Sequence, residues 1–185
     1  MDQLFRFSRI TVGLHWIVAI TMMALLFVGL YMVENEAWHL YHLHKSIGIL
    51  IFPVVLLRVL WRFKTGWPVA LTAQIQWQQN IAKIAHYFLL VITFLMPVSG
   101  MIFSAASGHG FGIFSWEIWP SNPSLSKPGE VDVRSVFWSD LGHSGHELLG
   151  NLMLLVLFLH VLGALKHHFI DKDGVLKRML GMRVG

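Results

Sequence analysis

Four long runs of apolar residues, separated by more polar stretches, dominate the hydrophobic pattern of the chain. They cover approximately residues 11–32, 40–61, 84–105 and 146–168. Each run is about as long as the 20 or so apolar residues that a helix needs to cross a lipid bilayer. The pattern therefore predicts an all-α fold, an integral membrane bundle of four transmembrane helices in a single domain over residues 1–185. Pro53 and Pro97 lie inside these runs, where proline kinks a transmembrane helix without excluding it.

The long stretch between the third and fourth runs, at about residues 106–142, is rich in aromatic side chains. Trp116, Trp119 and Trp138 lie in it. Tryptophan is enriched where a membrane meets water. A short interfacial helix that caps the bundle is the simpler interpretation of this loop, and a binding surface for an electron donor is the alternative.

Composition agrees with lipid as the solvent of the chain. The sequence is 55% hydrophobic and 13% charged, whereas a soluble domain has about 25% charged residues. There is no cysteine, which excludes disulfides, iron–sulfur clusters and covalently attached c-type haem. We interpret the net charge of +4 as a signal of membrane topology, because the positive residues lie in particular loops. Membrane lipid is therefore an expected partner, and nucleic acid is not.

The distribution of lysine and arginine predicts the orientation of the bundle. In a four-span bundle, one end holds eleven of these residues: Arg6, Arg9, Arg58, Arg62, Lys64, Lys83, Lys166, Lys172, Lys177, Arg178 and Arg183. The opposite end holds only Lys45, Lys127 and Arg134, together with seven acidic residues. Cytoplasmic loops of membrane proteins carry the excess of lysine and arginine. Both termini are therefore predicted to be cytoplasmic.

Two histidines in the fourth run are spaced for the two sides of a membrane. His146 and His160 are fourteen residues apart, which is close to four turns of helix, so both side chains face the same way. The rise between them is about 21 Å, in a hydrocarbon core about 30 Å thick. An ionisable residue inside a span indicates function, because lipid makes it costly.

Histidines of the first two runs match these two depths. His15 is early in the first run, at the cytoplasmic level of His160, and His44 is early in the second, at the outer level of His146. We therefore expect two pairs, His15 with His160 and His44 with His146, and each pair would coordinate one haem iron from opposite sides. Two ligands leave no open position on the iron, which suits electron transfer. A zinc site is disfavoured because these histidines are too far apart for one metal.

Neighbouring residues allow two interpretations. Gly48, Gly150 and Gly163 follow the histidines by three or four positions and would leave room for a porphyrin, or would simply allow close helix packing. Arg58 lies fourteen residues after His44, on the same helix face at the cytoplasmic end. It is a candidate partner of haem propionates, or one of the charges that set the orientation.

Two further histidines suggest a quinone site. His86 lies near the cytoplasmic start of the third run, and His167 is seven residues past His160, on nearly the same face. Together they are candidates to hydrogen-bond a quinone head group, and histidine can relay protons near neutral pH. The alternatives are that His86 is another ligand of the inner haem, or that both are ordinary interfacial residues. No catalytic residue is assigned.

The chain resembles the bacterial cytochrome b561 family, small di-haem cytochromes of the inner membrane. Single motifs are weak, but the ordered set is specific and covers nearly the whole chain. It comprises Leu14-His15-Trp16, Leu43-His44-Lys45-Ser46-Ile47-Gly48, Leu56-Leu57-Arg58-Val59-Leu60 with Arg62, His86, Pro97, His146-Glu147, Leu159-His160 and Ala164-Leu165-Lys166-His167-His168-Phe169.

The resemblance implies two haem b groups held by His15, His44, His146 and His160, and ubiquinone bound near His86 and His167. It implies a quinone-linked oxidoreductase of the bacterial inner membrane, with superoxide as one candidate substrate. Superoxide is an anion that a positive entrance would attract, whereas the outer face is acidic; Lys45 and Arg134 are the candidates for a local positive patch. The alternative function is an electron-carrier subunit that serves a separate periplasmic redox protein.

Overall fold

The computed structural model of the chain describes residues 6–67 and 76–184. Residues 1–5, 68–75 and 185, which the predicted single domain includes, lie outside the described part. Four long helices form the bundle, α1 (Arg9–Glu34), α2 (Tyr41–Thr65), α3 (Gln76–Ala106) and α4 (Val136–Phe169). A 3-10 turn (Trp38–Leu40) precedes α2, two short strands follow α3, β1 (Phe111–Ile113) and β2 (Trp116–Trp119), and a short helix follows α4, α5 (Val175–Met179).

All four long helices are apolar enough to cross a membrane, and the prediction of a helical four-span bundle is confirmed. The end of the bundle where α1 begins and α4 ends is called the terminal end below. The opposite end, which carries β1 and β2, is called the hairpin end. Side-chain caps begin two of the helices: Ser8 accepts a hydrogen bond from the backbone of Thr11, and Ser135 accepts one from the backbone of Trp138.

Two helices are longer than the apolar runs indicate. α3 begins at Gln76 rather than near residue 84, and α4 begins at Val136 rather than near residue 146. With 34 residues, α4 is about 51 Å long, which exceeds a hydrocarbon core of about 30 Å. The added turns contain polar residues, which hydropathy assigns to loops although they continue the helix beyond the membrane core.

The loop after α3 forms a β-hairpin, so the prediction of a short interfacial helix there is wrong. β1 pairs with β2 in antiparallel register, with Phe111 opposite Trp119 and Ile113 opposite Trp116. Glycine and proline recur too often in this segment for a helix. Gly110 has a φ of +62°, and a Cβ on Gly112 would collide with the carbonyl oxygen of Trp116. Only glycine fits this close pairing of the two strands.

The buried core lies at mid-depth in the bundle. Its apolar side chains come from all four long helices: Val18, Met22, Ile51, Val55, Ile92 and Met153. Met153 is seven residues from both His146 and His160, two turns of helix from each. The core therefore forms an apolar layer between the two histidine levels.

Candidate functional site

The hairpin end brings together His44 of α2 and His146 of α4. Their ring centroids are 6.2 Å apart and their planes are nearly perpendicular, at 80°. A cavity beside the two rings has an apolar lining that includes Met22, Leu26, Gly48, Ile51, Met96 and Met153. The predicted pairing of these two histidines by depth therefore corresponds to a direct approach of their rings inside the bundle.

The ring of His146 is oriented by α3. Its Nδ1 atom is 3.0 Å from the carbonyl oxygen of Met96 and 3.1 Å from the hydroxyl of Ser99. A carbonyl oxygen only accepts, so Nδ1 of His146 carries the proton and donates it. The Nε2 atom then keeps its lone pair, which is the arrangement found in metal-binding histidines.

Two glycines give the rings their space. A Cβ on Gly100 would lie 3.1 Å from Cε1 of His146, and a Cβ on Gly29 would lie 3.4 Å from Cε1 of His44. Neither glycine was singled out in the sequence, because each lies on a different helix from the ring it contacts. Gly48 and Gly163 have open space where a Cβ would be, so close helix packing does not explain these two predicted positions.

The terminal end brings together three of the predicted histidines. The ring centroids of His15 and His160 are 6.5 Å apart, and those of His86 and His160 are 5.3 Å apart. Arg58, on α2, places Nη2 3.1 Å from Nδ1 of His15. Arginine only donates, so Nδ1 of His15 accepts in this arrangement.

A tryptophan that the sequence analysis did not use completes this group. Trp67 stacks on His86 with a centroid distance of 6.1 Å and lies 4.2 Å from the ring of Tyr87. The guanidinium of Arg62 is 5.1 Å from the centre of the Trp67 ring, within the range of a cation–π contact. His86 is therefore held between an aromatic ring and the His15–His160 pair.

His167 has different neighbours. Its Nδ1 atom is 2.8 Å from Asp173 Oδ2 and 3.0 Å from Asp171 Oδ2. The other carboxylate oxygen of Asp173, whose side chain is fully buried, accepts a hydrogen bond from the backbone of Val175 at the start of α5. The interactions of His167 thus connect the end of α4 to the C-terminal segment.

The same three residues have the composition of a metal site, with candidate ligand atoms within 4.8 Å of one another. Lys166, however, places its ammonium 2.7 Å from Asp171. These hydrogen bonds hold the pKa of the Asp171 carboxyl below its usual range. Lys166 already supplies a cation to this cluster, and we interpret the cluster as a structural connection between α4 and α5.

The hairpin is attached to α2 beside His44. The backbone N–H of Phe114 donates to the hydroxyl of Ser46 at 2.8 Å, and the ammonium of Lys45 donates to the carbonyl of Gly110 at 2.9 Å. Lys45 also lies 4.6 Å from the centre of the Tyr41 ring. Partial burial and the charge of Lys45 lower the pKa of the neighbouring His109. The other predicted base, Arg134, donates to two backbone carbonyls of its own loop.

The ring separations of the two histidine pairs fit a metal bound between the rings. A bond from metal to imidazole nitrogen is about 2 Å long and the nitrogen is about 1.2 Å from the ring centre, so two imidazoles on opposite sides of one metal have centroids about 6.4 Å apart. The separations of 6.2 Å and 6.5 Å fit this value, whereas the 5.3 Å between His86 and His160 is too short. The buried Nδ1 of His44 has no hydrogen-bond partner in the described part of the chain.

Four apolar spans with a histidine pair towards each end of the bundle define the class of membrane cytochromes b. The family described as prokaryotic cytochrome b561 matches residues 6–182. The chain belongs to this family and is a multi-pass membrane electron-transfer protein, for which the family implies haem b.

Individual relatives agree with this assignment. The chain is 34% identical over 183 residues to cytochrome b561 homolog 2 of Escherichia coli (strain K12), covering 95% of this chain and 92% of the relative. It is 26% identical to cytochrome b561 homolog 1 of the same organism, covering 96% and 98% of the two chains. It is 23% identical to the probable superoxide oxidase CybB of Yersinia pestis, covering 97% and 98%.

Proposed function

We propose that the chain is a di-haem cytochrome that moves electrons across the bacterial inner membrane, between a periplasmic donor or acceptor and the ubiquinone pool. His44 and His146 would hold one haem b, and His15 and His160 the other. The observation that carries the proposal is the approach of these rings to 6.2 Å and 6.5 Å at the two ends of one bundle.

The residues of the two pairs have complementary tasks. Haem iron supplies a one-electron couple, and two histidine ligands keep the iron closed to other ligands. Met96 and Ser99 orient His146, so this ring does not need to reorient as the charge at the iron changes. The apolar layer around Met153 and Val18 excludes water between the pairs.

The orientation of the protein follows from its charges. Eleven lysines and arginines belong to the terminal end, which favours a cytoplasmic position of both termini and a periplasmic position of the hairpin. This orientation would put His15, His86 and His160 on the cytoplasmic side and His44 and His146 on the periplasmic side. Such a position favours a bacterial inner membrane, where the ubiquinone pool is accessible from the lipid.

A quinone would bind at the terminal end. His86 and His167 are the candidate residues for hydrogen bonds to its head group, and Trp67 provides a flat ring beside His86. Quinone reduction consumes protons, and histidine can deliver them near neutral pH. Asp173 holds Nδ1 of His167 and so keeps the ring in one orientation.

Superoxide is the first candidate substrate on the periplasmic side. Lys45 is a half-buried cation next to His44 in sequence, and in the described part of the chain it forms no ion pair with an acid. Such a charge attracts a small anion. The relative named probable superoxide oxidase CybB supports this candidate.

A separate redox protein is the second candidate, favoured by the surface of the hairpin. Trp116 is 68% exposed and Trp119 48% exposed, and the exposed Glu117 lies between them. Exposed aromatic residues are characteristic of protein interfaces. The chain would then be an electron-carrier membrane subunit for this protein.

The first experiment is haem quantitation on the purified full-length protein, with reduced-minus-oxidised spectra. We expect two low-spin haem b per chain. His44→Ala and His15→Ala should each remove one of the two, whereas His39→Ala, a change near the same helix end as His44, should remove none. A preparation without haem, from cells with ample haem supply, would contradict the proposal.

A second assay distinguishes the substrates. Superoxide generated in solution should reduce ubiquinone through the haem-replete protein, at a rate that Lys45→Gln lowers at least tenfold and Lys45→Arg largely restores. If the haem-replete protein is inert to superoxide but exchanges electrons with a small soluble c-type cytochrome, the electron-carrier function replaces the superoxide function.

A further inference from the structure

We propose that Arg58 raises the reduction potential of the haem held by His15 and His160 above that of the haem held by His44 and His146. The inference rests on the proposed function, since it concerns the two haems. Arg58 is then a positioning and tuning residue that acts through its charge, and it has no part in bond making.

The first observation is the position of the charge. Nη2 of Arg58 lies 3.1 Å from Nδ1 of His15. The side chain is partly buried among the helices, and no acid in residues 6–67 and 76–184 forms an ion pair with it. A second cation, Arg62, lies one helical turn further along α2, over the ring of Trp67.

The physical consequence concerns the reduced and oxidised states of the iron. Reduction adds one electron and so lowers the positive charge at the iron by one. A fixed cation nearby repels the oxidised state more than the reduced state, and it does so more strongly where water is excluded. Arg58 therefore favours the reduced state at the terminal end.

At the hairpin end, the ring of His146 contacts neutral groups. His146 donates its Nδ1 proton to the neutral carbonyl oxygen of Met96, which makes a ligand ring more basic and favours the oxidised iron. Lys45 directs its ammonium away to the carbonyl of Gly110 and the ring of Tyr41. The exposed Glu147 follows His146 directly in the chain. The ring of His146 thus contacts neutral groups and the charge of Lys45 is directed to a carbonyl, whereas Arg58 contacts the ring of His15 directly.

If iron were bound through Nε2 of His15, Nδ1 would carry the ring proton and could no longer accept a hydrogen bond from Arg58. The guanidinium would then have to turn from this nitrogen, while the backbone of Arg58 on α2 would keep its charge on the side of the bundle that faces His15. A haem propionate that paired with Arg58 would cancel most of this charge, and Arg58 would then be an anchor of the haem instead.

The test is an optical redox titration of the full-length protein with both haems bound. In the wild type we expect two one-electron components. Arg58→Gln should lower the reduction potential of the higher component by at least about 59 mV, which is a tenfold decrease in its reduction equilibrium constant. The potential of the lower component should not change. Arg58→Lys should retain most of the higher potential, because it keeps the charge. Lys64→Gln, which removes an exposed cation from the same helix end, should move neither component.

A second variant identifies the haems independently of Arg58. Gly100→Ala disturbs His146, so it should alter the spectrum of the haem at the hairpin end. The haem whose spectrum changes in Gly100→Ala should be the haem with the lower reduction potential. This comparison can be made even if the Arg58→Gln protein does not accumulate.

Several results would overturn the inference. In Arg58→Gln, these results are unchanged potentials, equal shifts of both potentials, or loss of one haem while the potential of the other stays the same. In Gly100→Ala, the contradicting result is a spectral change in the haem with the higher potential. Failure to find two haems in the wild type would instead contradict the proposed function.

Discussion

The carbonyl oxygen of Met96 lies 3.0 Å from Nδ1 of His146, across the contact between α3 and α4. α3 supplies no member of either proposed ligand pair, yet it determines which nitrogen of His146 keeps its lone pair. Ser99 contacts the same Nδ1 atom and Gly100 packs against the ring. Three residues within one turn and a half of α3 thus set both the proton position and the plane of His146.

Gly100→Ala should displace the ring of His146. The added Cβ would lie 3.1 Å from Cε1 of the ring, and overpacking of this kind costs about 1–3 kcal/mol of stability. We expect a lower midpoint of thermal unfolding and an altered spectrum of one haem. Gly13→Ala is the matched control, because its Cβ would meet open space; equal effects of the two changes would exclude specific contact with His146.

Ser46→Ala should loosen the hairpin from α2. The hydroxyl of Ser46 is the acceptor for the backbone N–H of Phe114, and loss of such a hydrogen bond costs about 0.5–1.5 kcal/mol. Amide hydrogen exchange at residues 110–119 should become faster, while exchange in the core of α3 stays slow. Ser115→Ala, a change of the same type at an exposed position of the turn, should leave the exchange unchanged. Unaltered exchange in Ser46→Ala would mean that the hairpin is held by other contacts.

Asp173→Asn should release the C-terminal segment. Asp173 connects His167 on α4 to the backbone of Val175 on α5. Loss of its buried charge weakens these hydrogen bonds, each of which contributes about 1–3 kcal/mol to stability. Limited proteolysis should cut residues 175–184 sooner than in the wild type. Glu117→Gln, which removes an acid at the other end, serves as the control. If the quinone proposal is correct, KM for ubiquinone should rise in Asp173→Asn with little change of haem content.

The attachment of this segment should also depend on acid pH. Lys166 holds the pKa of Asp171 below its usual value, so the folded state binds this proton less readily than the unfolded state. The resulting stabilisation is present above the unfolded pKa and is lost as the pH falls through the folded pKa. Protection of residues 171–184 should therefore decrease as the pH falls below about 4. Asp171→Asn should remove this decrease; its persistence in the variant would assign it to another group.

The spacing of apolar residues and histidines predicted most of the fold and the level of each ring. The separation of His146 and His160 along one helix is a property of helix geometry, so it could be derived without the structure. The contacts of Met96, Ser99 and Gly100 could not, because they depend on how α3 crosses α4. The hairpin was not predicted because its aromatic residues suit an interfacial helix equally well, and only the glycines of the segment distinguish the two structures.

The distribution of the paired histidines over the helices has a consequence for biosynthesis. α1 and α2 each carry one member of a pair, whereas α4 carries the second member of both. While the first three spans enter the membrane, neither pair is complete, and the insertion of the last span completes both at once. If these pairs hold the haems, stable haem binding should require the whole bundle. A truncated product that ends before α4 should therefore contain no haem.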